Sequence, residues 1–355
     1  MSELTDEAAV AGLARKRAVA GILTFDERAL PVVAAVAEDL SLPGPGRETA
    51  HLLSHKVALR RQLAEHGVPQ PEFAAARTLH EGRTAMQTVG LPAVLEPADS
   101  EGLAGRFVLR YEDELETHLH VALAESPTHE AIVERYDDAP ELVAVAVARS
   151  GHVVPLAVCD RRRPSETTLG TSLLDVYPTT LFGDALASVE DVVARTIHAL
   201  GLRDGIAVVR LVLSDEGPPR LIGVAGCAAD AGLRRLAVHA LGVDLIAIAL
   251  RLAVGEDVPD EAVTPRFRRP SAIQHLTAEP GPLPTGTVRR VGSLEKVLAF
   301  PGVLEADTEL AVGETIDPVR LDGEGHGYVI ATGDTNLEAR DRAGAAARLV
   351  DVEVW

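Results

Sequence analysis

The sequence predicts an α/β protein, and three observations carry that prediction. Apolar runs of strand length alternate with amphipathic stretches of helical spacing through the middle of the chain. Gly, Pro, Asp and Ser clusters punctuate them at turn positions. The 355 residues, 46% of them hydrophobic, are enough for two or three packed units with sizeable cores.

Taken in order, "TDEAAVAGLARK" opens with a cap-like Thr5 before helical spacing. A short strand, "AVAGILTF", leads into a second helix, "DERALPVVAAVAEDL", with Pro31 in its first turns, and "SLPGPG" ends this unit. "ETAHLLSHKVALRRQLAEHG" has the apolar spacing of one long amphipathic helix stopped at Gly67. Then "PAVLEP" and "FVLRY" read as strands and "EDELETHLHVALAES" as a helix. "EAIVERY" and "ELVAVAVAR" are strands, with "GHVVPLAVCD" answering across a Ser-Gly turn. "VEDVVARTIHALGL" is a helix ending at Gly201, and "GIAVVRLVLS" with "PRLIGVAG" forms a hairpin. "GLRRLAVHALGVDLIAIALRLAVG" is one broken helix or two consecutive ones. A polar, proline-punctuated linker, "PDEAVTPRFRRP", precedes a last unit of short β segments and a final helix, "NLEARDRAGAAARLV".

Fifty-three acidic against 34 basic residues give a formal charge of -19, which argues against nucleic acid and anionic membranes as partners. Two cysteines, Cys159 and Cys227, are too few for a disulfide framework and point to a reducing, cytoplasmic setting. The N-terminus lacks a signal-peptide core, and the most apolar stretch, "LGVDLIAIALRLAVG", carries Asp244 and Arg251 and is too short to span a bilayer.

One stretch raises a chemical question. "GLPAVLEPADSEGLAG" runs an apolar strand into a loop with glycines at 102 and 105, the kind of loop that lays backbone N–H groups against phosphate beside a cationic side chain. The side chain at the strand's end is Glu96. Lysine is scarce here, at positions 16, 56 and 296 only, so an idle lysine would be expected to drift to arginine; Glu96 goes beyond that bias to a reversal of charge.

In this order the pieces resemble the ATP-grasp superfamily, in particular its carboxylate–amine (L-amino-acid) ligase branch. "GILTFDERALPVVAAVAEDLSLPGPG" is similar to the end of the family's N-terminal lobe, and "HKVALRRQLAEHGVPQP" to the helix and turn that open its core. "GLPAVLEP" resembles the strand that ends in Lys-Pro, "AIVERYDDAPELVAVAV" the linker between two strands, and "ALGLRDGIAVVRLVLSDEGPPRLIGVAG" the strands that carry metal ligands. "PSAIQHLTAEPGPLPTG" and "GHGYVIATGDTNLEARDRAGAAARLVDV" resemble the C-terminal subdomain. The resemblance implies an ATP-grasp-like α/β fold with a shortened N-terminal α/β lobe (1–50), a core (51–258) and a C-terminal ligase-type subdomain (259–355). It also implies a chemistry in which ATP activates a carboxylate as an acyl phosphate for attack by an amine.

The same resemblance says where that chemistry should reside. Lys56 occupies the first lysine position; it is either a functional cation or a solvated helix lysine. Glu134 and Glu141 match the acids flanking the nucleotide linker and mark a residual nucleotide site, or else face solvent. Glu96 replaces the second lysine. Arg210 stands at the first metal-binding acid, Gly223 at the second, Ala225 at the asparagine and Cys227 at the following arginine. The flap, "DSEGLAGR", carries Asp99 and Glu101. Phosphoryl transfer needs cations and divalent metal around the phosphates, and neither "AVVRLVL" nor "RLIGVAGCAA" contains an acid or amide.

The expectation is therefore an ATP-grasp homologue that has lost phosphoryl transfer and serves as a binding, scaffolding or regulatory partner, with no catalytic or metal-binding residue. The alternative is an active ATP-dependent ligase using ATP and Mg²⁺. Glu96 and Arg210, both reversed in sign, would pair across the old cleft. A truncated sheet at the N-terminus would expose an edge, so a homodimer or an active ligase partner would cover it. His51 and His55 read as a helix-surface pair, His118 and His120 as diverging, "CDRRRP" as a solvated turn or a grip on an acid, and Cys227 as a small buried residue.

Overall fold

The computed structural model describes residues 6–99, 104–163, 172–214, 217–228, 230–318 and 325–355. The N-terminal lobe is helical. Helix α1 (Glu7–Arg17) is capped by the Asp6 side chain, and α2 (Leu30–Asp39) follows a short 3₁₀ turn at Glu27–Ala29. The segment 18–25, expected as a strand, runs on without β-pairing. It is pressed against the rest of the chain instead: a Cβ on Gly21 would run into the Ala253 carbonyl oxygen. The open sheet edge that a homodimer was expected to cover is thus missing from the described part of this lobe.

Helix α3 (Arg47–Ser54) and helix α4 (Lys56–Glu65) replace the single helix expected from the spacing. The break is at His55, whose backbone is extended and whose Nδ1 accepts from the Ala58 N–H. The Lys56 N–H is drawn out of the helix to the Ala98 carbonyl at 2.6 Å. This tertiary bond overrides a periodicity that continues unbroken through residue 55.

The next unit comprises β1 (Phe73–Ala76), α5 (Leu79–Val89), β2 (Ala93–Pro97), β3 (Phe107–Leu109), α6 (Leu115–Glu125) and β4 (Ala131–Arg135). Its four strands form an antiparallel sheet in the order β1-β4-β2-β3. Alternation along β2 sends Leu95 into the core shared with α5 and α6, and turns Val94 and Glu96 to the cleft.

Strands β5 (Glu141–Arg149), β6 (His152–Arg162) and β7 (Leu174–Tyr177), helix α7 (Gly183–Ala199), strands β8 (Gly205–Val212) and β9 (Arg220–Ala225), and helices α8 (Ala231–Leu241) and α9 (Leu245–Ala253) complete the core. Alternate residues of β5 serve opposite layers. Leu142, Ala144, Ala146 and Ala148 pack with α7, while Val143, Val145 and Val147 pack with α8 and α9. Both faces are covered, which is why this strand reads as nearly continuous apolar sequence. The α8–α9 break falls at Gly242, in the left-handed region at φ 70°, and Asp244 caps α9; the two axes are bent by 112°. No single helix among the described residues is long and apolar enough to cross a membrane.

After a short α10 (Asp260–Val263) come β10 (Ser271–His275), β11 (Gly286–Val291), α11 (Glu295–Leu298), β12 (Val303–Thr308), β13 (Thr315–Ile316), β14 (Gly327–Thr332), α12 (Asn336–Ala347) and β15 (Val352–Val354). Three of these strands extend the core sheet, giving eight in the order β12-β14-β10-β7-β6-β5-β8-β9; the contact is the antiparallel β10–β7 pair. A separate three-stranded sheet, β13-β11-β15, closes the chain.

Candidate functional site

A cavity of about 190 Å³ lies between the small sheet, helix α4 and the β8–β9 hairpin. It brings together Lys56, Glu96, Glu134, Glu141, Arg210, Gly223 and Ala225, the positions singled out in the sequence. Cys227 is buried beside it. The flap falls partly on residues 100–103, outside the described residues, so Glu101 has no structural account.

Glu96 is 6% exposed, and its acid is held by two cations. Arg106 Nη2 is 2.7 Å from Oε2, and Lys56 Nζ is 3.4 Å from the same oxygen while donating to the Pro97 carbonyl at 3.1 Å. Burial pushes the Glu96 carboxyl up, but Arg106, Lys56, Arg60 and Arg210 together outweigh it and bring the pKa down to about 2. Burial lowers the Lys56 pKa, Glu96 opposes this, and the like charge of Arg106 adds to the lowering.

The depressed Glu96 pKa sets a pH dependence. The carboxylate stabilises the fold fully above its ordinary value of 4.5, and this contribution is lost as pH falls from there toward 2. The shift corresponds to roughly 3 kcal/mol. Glu96→Gln is expected to lower stability in urea at pH 7 and to narrow its gap from the parent protein between pH 4.5 and 2.5; two parallel pH curves would contradict it.

The expected Glu96–Arg210 pair does not form. Glu96 is occupied by its own small sheet's Arg106 and by Lys56, and no ion pair links it to Arg210 among the described residues. Arg210 instead lies flat across the hairpin. It sits directly opposite Gly223 in the β8–β9 register, and a Cβ at 223 would come 2.5 Å from Arg210 Nη2. The arginine and the glycine are a steric pair: the guanidinium fills the space that any side chain at 223 would take. Burial and the neighbouring Arg106 lower the Arg210 pKa, while Glu141 and Glu27 hold it up.

Glu134 and Glu141, the acids expected to flank a nucleotide linker, do not face solvent. Glu134 is 6% exposed and takes Arg60 in a two-pronged pair, Nε to Oε1 at 2.6 Å and Nη2 to Oε2 at 3.0 Å. Glu141, 7% exposed, receives Arg163 Nε at 3.0 Å. "CDRRRP" is thus a grip on acids, with Arg161 holding Asp175 and Arg163 holding Glu141.

His51 and His55 do not share one helix face, because α3 ends at Ser54 and His55 caps α4. The His51 and His55 rings stand 5.4 Å apart, and His55 also approaches Glu130. The ring of His118 stacks on Phe107. No group of three metal-ligating side chains occurs among the described residues.

Sequence reasoning missed Arg60, Arg106 and Glu27 at this cavity, and had Arg163 only as a member of "CDRRRP". Arg106 ends the flap stretch and could have been found there. Glu27 looks like an ordinary first-turn acid, and nothing local distinguishes it.

Magnesium needs several hard oxygen ligands. The β8–β9 face offers Arg210, Gly223 and Ala225, and the acids nearest it each already bind an arginine. The residues present therefore do not fit the metal.

The comparisons agree with this architecture. The family model described as carbamoyl-phosphate synthase L chain, ATP binding domain, matches residues 55–261, and that described as L-amino acid ligase C-terminal domain 2 matches 282–354. An uncharacterized protein of Sinorhizobium fredii, y4rH, is 29% identical over 335 residues; the match covers 90% of this chain but 65% of y4rH, so the chain spans under two thirds of that relative. L-amino acid ligase from Bacillus licheniformis superposes with a TM-score of 0.83 at 20% identity, covering 99% of this chain and 86% of that one. The biotin carboxylase domain dimer of Hydrogenobacter thermophilus 2-oxoglutarate carboxylase, solved with MgADP, ADP and bicarbonate, gives 0.72 at 19%, covering 98% and 78%. The fold is that of the L-amino acid ligase, and with the family model of the carbamoyl-phosphate synthase ATP-binding domain spanning more than half its length, the chain belongs to that family of the ATP-grasp superfamily.

Proposed function

We propose that this protein has given up phosphoryl transfer and works as a binding or regulatory member of its family. One observation carries the reading: the cleft face of β8–β9 presents a guanidinium where hard oxygen ligands are needed, packed over Gly223 so that an acid placed there would first have to displace Arg210. Glu96 supports it from the other wall. A carboxylate about 4 Å from a phosphate charge opposes it by roughly 4 kcal/mol per pair at an effective dielectric of 20. Arg106 and Lys56 offset this only by leaving their present partner. At the linker, Glu134 and Glu141 are likewise committed to arginines. The residual nucleotide site at Lys56, Glu134 and Glu141 would have to break buried ion pairs to form.

Purified protein incubated with ATP, Mg²⁺ and a panel of amino acids is expected to release no ADP above a protein-free control. Its melting temperature is expected not to respond to MgATP. ADP release that requires both Mg²⁺ and an amino acid would overturn this reading and favour the active carboxylate–amine ligase that the family implies.

A further inference from the structure

The chain carries 53 acidic against 34 basic residues, yet one part of its surface is basic and apolar. It lies at the corner where α8 turns into α9. The linker 264–270 is laid along the last turn of α8, with the Arg266 N–H donating to the Leu241 carbonyl and the Arg269 N–H to the Ala240 carbonyl, both at 2.9 Å. Gly242 has no side chain at the corner, and Arg266 and Phe267 close over it; a Cβ there would meet the Phe267 ring at 3.0 Å. Phe267 is exposed, as is Val238 one helical turn before Gly242. Past the corner, Ile246 and Leu250 stand exposed one turn apart on α9. Three arginines accompany this apolar ground within four residues. Arg268 Nη1 donates to the Tyr177 hydroxyl at 3.1 Å. The side chains of Arg266 and Arg269 make no ion pair or hydrogen bond among the described residues, and Arg269 lies over the Phe267 ring at 4.9 Å. The acid at the corner, Asp244, spends its carboxylate on capping α9.

An apolar surface edged by uncommitted guanidinium groups suits a partner that brings an aromatic side chain and carboxylates together. Nucleic acid or an anionic membrane would meet the repulsion of the remaining -19 charge. The chain itself carries the complement. Between β3 and α6, Tyr111 is 67% exposed and is followed by Glu112 and Asp113, both exposed and without an ion pair among the described residues. This turn is preformed. The Glu114 carboxylate accepts from the N–H groups of Arg110 at 2.7 Å and Tyr111 at 3.0 Å, so little ordering is left to occur on binding.

We propose that the α8–α9 corner is a docking surface for a second copy of this chain, in which Arg266 and Arg269 take Glu112 and Asp113 of the partner subunit and Phe267 packs with its Tyr111. The contact is reciprocal, so two copies related by a twofold axis make it twice and the assembly closes as a dimer. This places the homodimer contact away from the N-terminal lobe, where the sheet edge expected to carry it is missing from the described residues. Neither surface lines the cleft, so the dimer is independent of whether phosphoryl transfer has been lost.

Sedimentation velocity of the full chain over a dilution series, at low and at high salt, tests this. The expected result is a monomer–dimer equilibrium that salt weakens. Arg266→Glu with Arg269→Glu, and separately Glu112→Lys with Asp113→Lys, should each raise the dissociation constant by about tenfold or more, because like charges then meet. An equal mixture of the two folded variants should recover the dimer, since each reversed surface then finds an opposite one at both contacts. Phe267→Ser should weaken the dimer at either salt concentration. A chain that stays monomeric at every concentration would overturn the proposal, whatever else the corner then bound, a synthetic acidic peptide or phosphatidylserine vesicles included. So would a dimer that neither charge reversal weakens, a mixture that does not recover it, or growth past the dimer into open chains.

Discussion

Arg60→Ala is expected to lower the unfolding free energy by about 3–5 kcal/mol, the range for removing one partner of a buried ion pair. The side chain is 3% exposed and serves three elements at once. From α4 it takes both oxygens of Glu134 on β4, and it donates to the Leu221 carbonyl at 2.8 Å and the Ile222 carbonyl at 3.0 Å on β9. Alanine leaves the buried Glu134 carboxylate without its guanidinium and takes one donor from each of two carbonyl oxygens. Arg60→Lys should recover little, because a single ammonium cannot satisfy that fork. The double variant Arg60→Met, Glu134→Leu should be far milder than either single change, since it removes the charge with its counter-charge. Urea unfolding of the four proteins checks this; an Arg60→Ala loss under about 1 kcal/mol would falsify the account.

The second large effect lies at the join between the core and the last hundred residues. Asp175→Ala is also expected to remove about 3–5 kcal/mol. Asp175 is wholly buried, and Arg161 faces it directly across β6–β7, with Nε to Oδ1 at 2.7 Å and Nη2 to Oδ2 at 2.9 Å. His275 Nε2 on β10 stands 3.6 Å from the same carboxylate. Burial pushes the Asp175 carboxyl up, but Arg161 and His275 hold it well below the usual carboxylate range. Without Asp175, the ion pair left to Arg161 among the described residues is Asp230 at 3.5 Å. Asp175→Asn should cost about half as much, because the acceptor survives and the charge does not. Hydrogen exchange should quicken first at β7 and β10. Uniform loss of protection with those strands no faster than α7 would show that the pair does not fasten this seam.

The order of strands and helices from residue 73 onward was legible, because each strand carries its own alternation and each turn its own Gly, Pro or Asp. The Ser150-Gly151 hairpin is a clear case, with both residues at positive φ, at 50° and 81°. The break at His55 was not legible, since a bond from Lys56 to Ala98 imposes it and local spacing does not record distant acceptors. Segment 18–25 has strand-like composition, but a strand also needs a partner ladder, and none pairs with it among the described residues. At the cleft, the altered residues were legible by position and their partners were not. Glu134 meets Arg60 from 74 residues away, and Arg106 reaches Glu96 before Arg210 can. Opposite signs in two aligned positions said nothing about a third charge folded between them.

The continuous eight-stranded ladder has a consequence for anyone who would treat this chain as beads on a string. Severing the connection near residue 265 does not free a self-sufficient cassette, for β10 and β14 are edge-on continuations of β7. Either half expressed by itself would carry a raw, unsatisfied flank of backbone donors and acceptors, inviting it to zip onto its neighbours. Chimeras with related ligases should therefore exchange the two portions together.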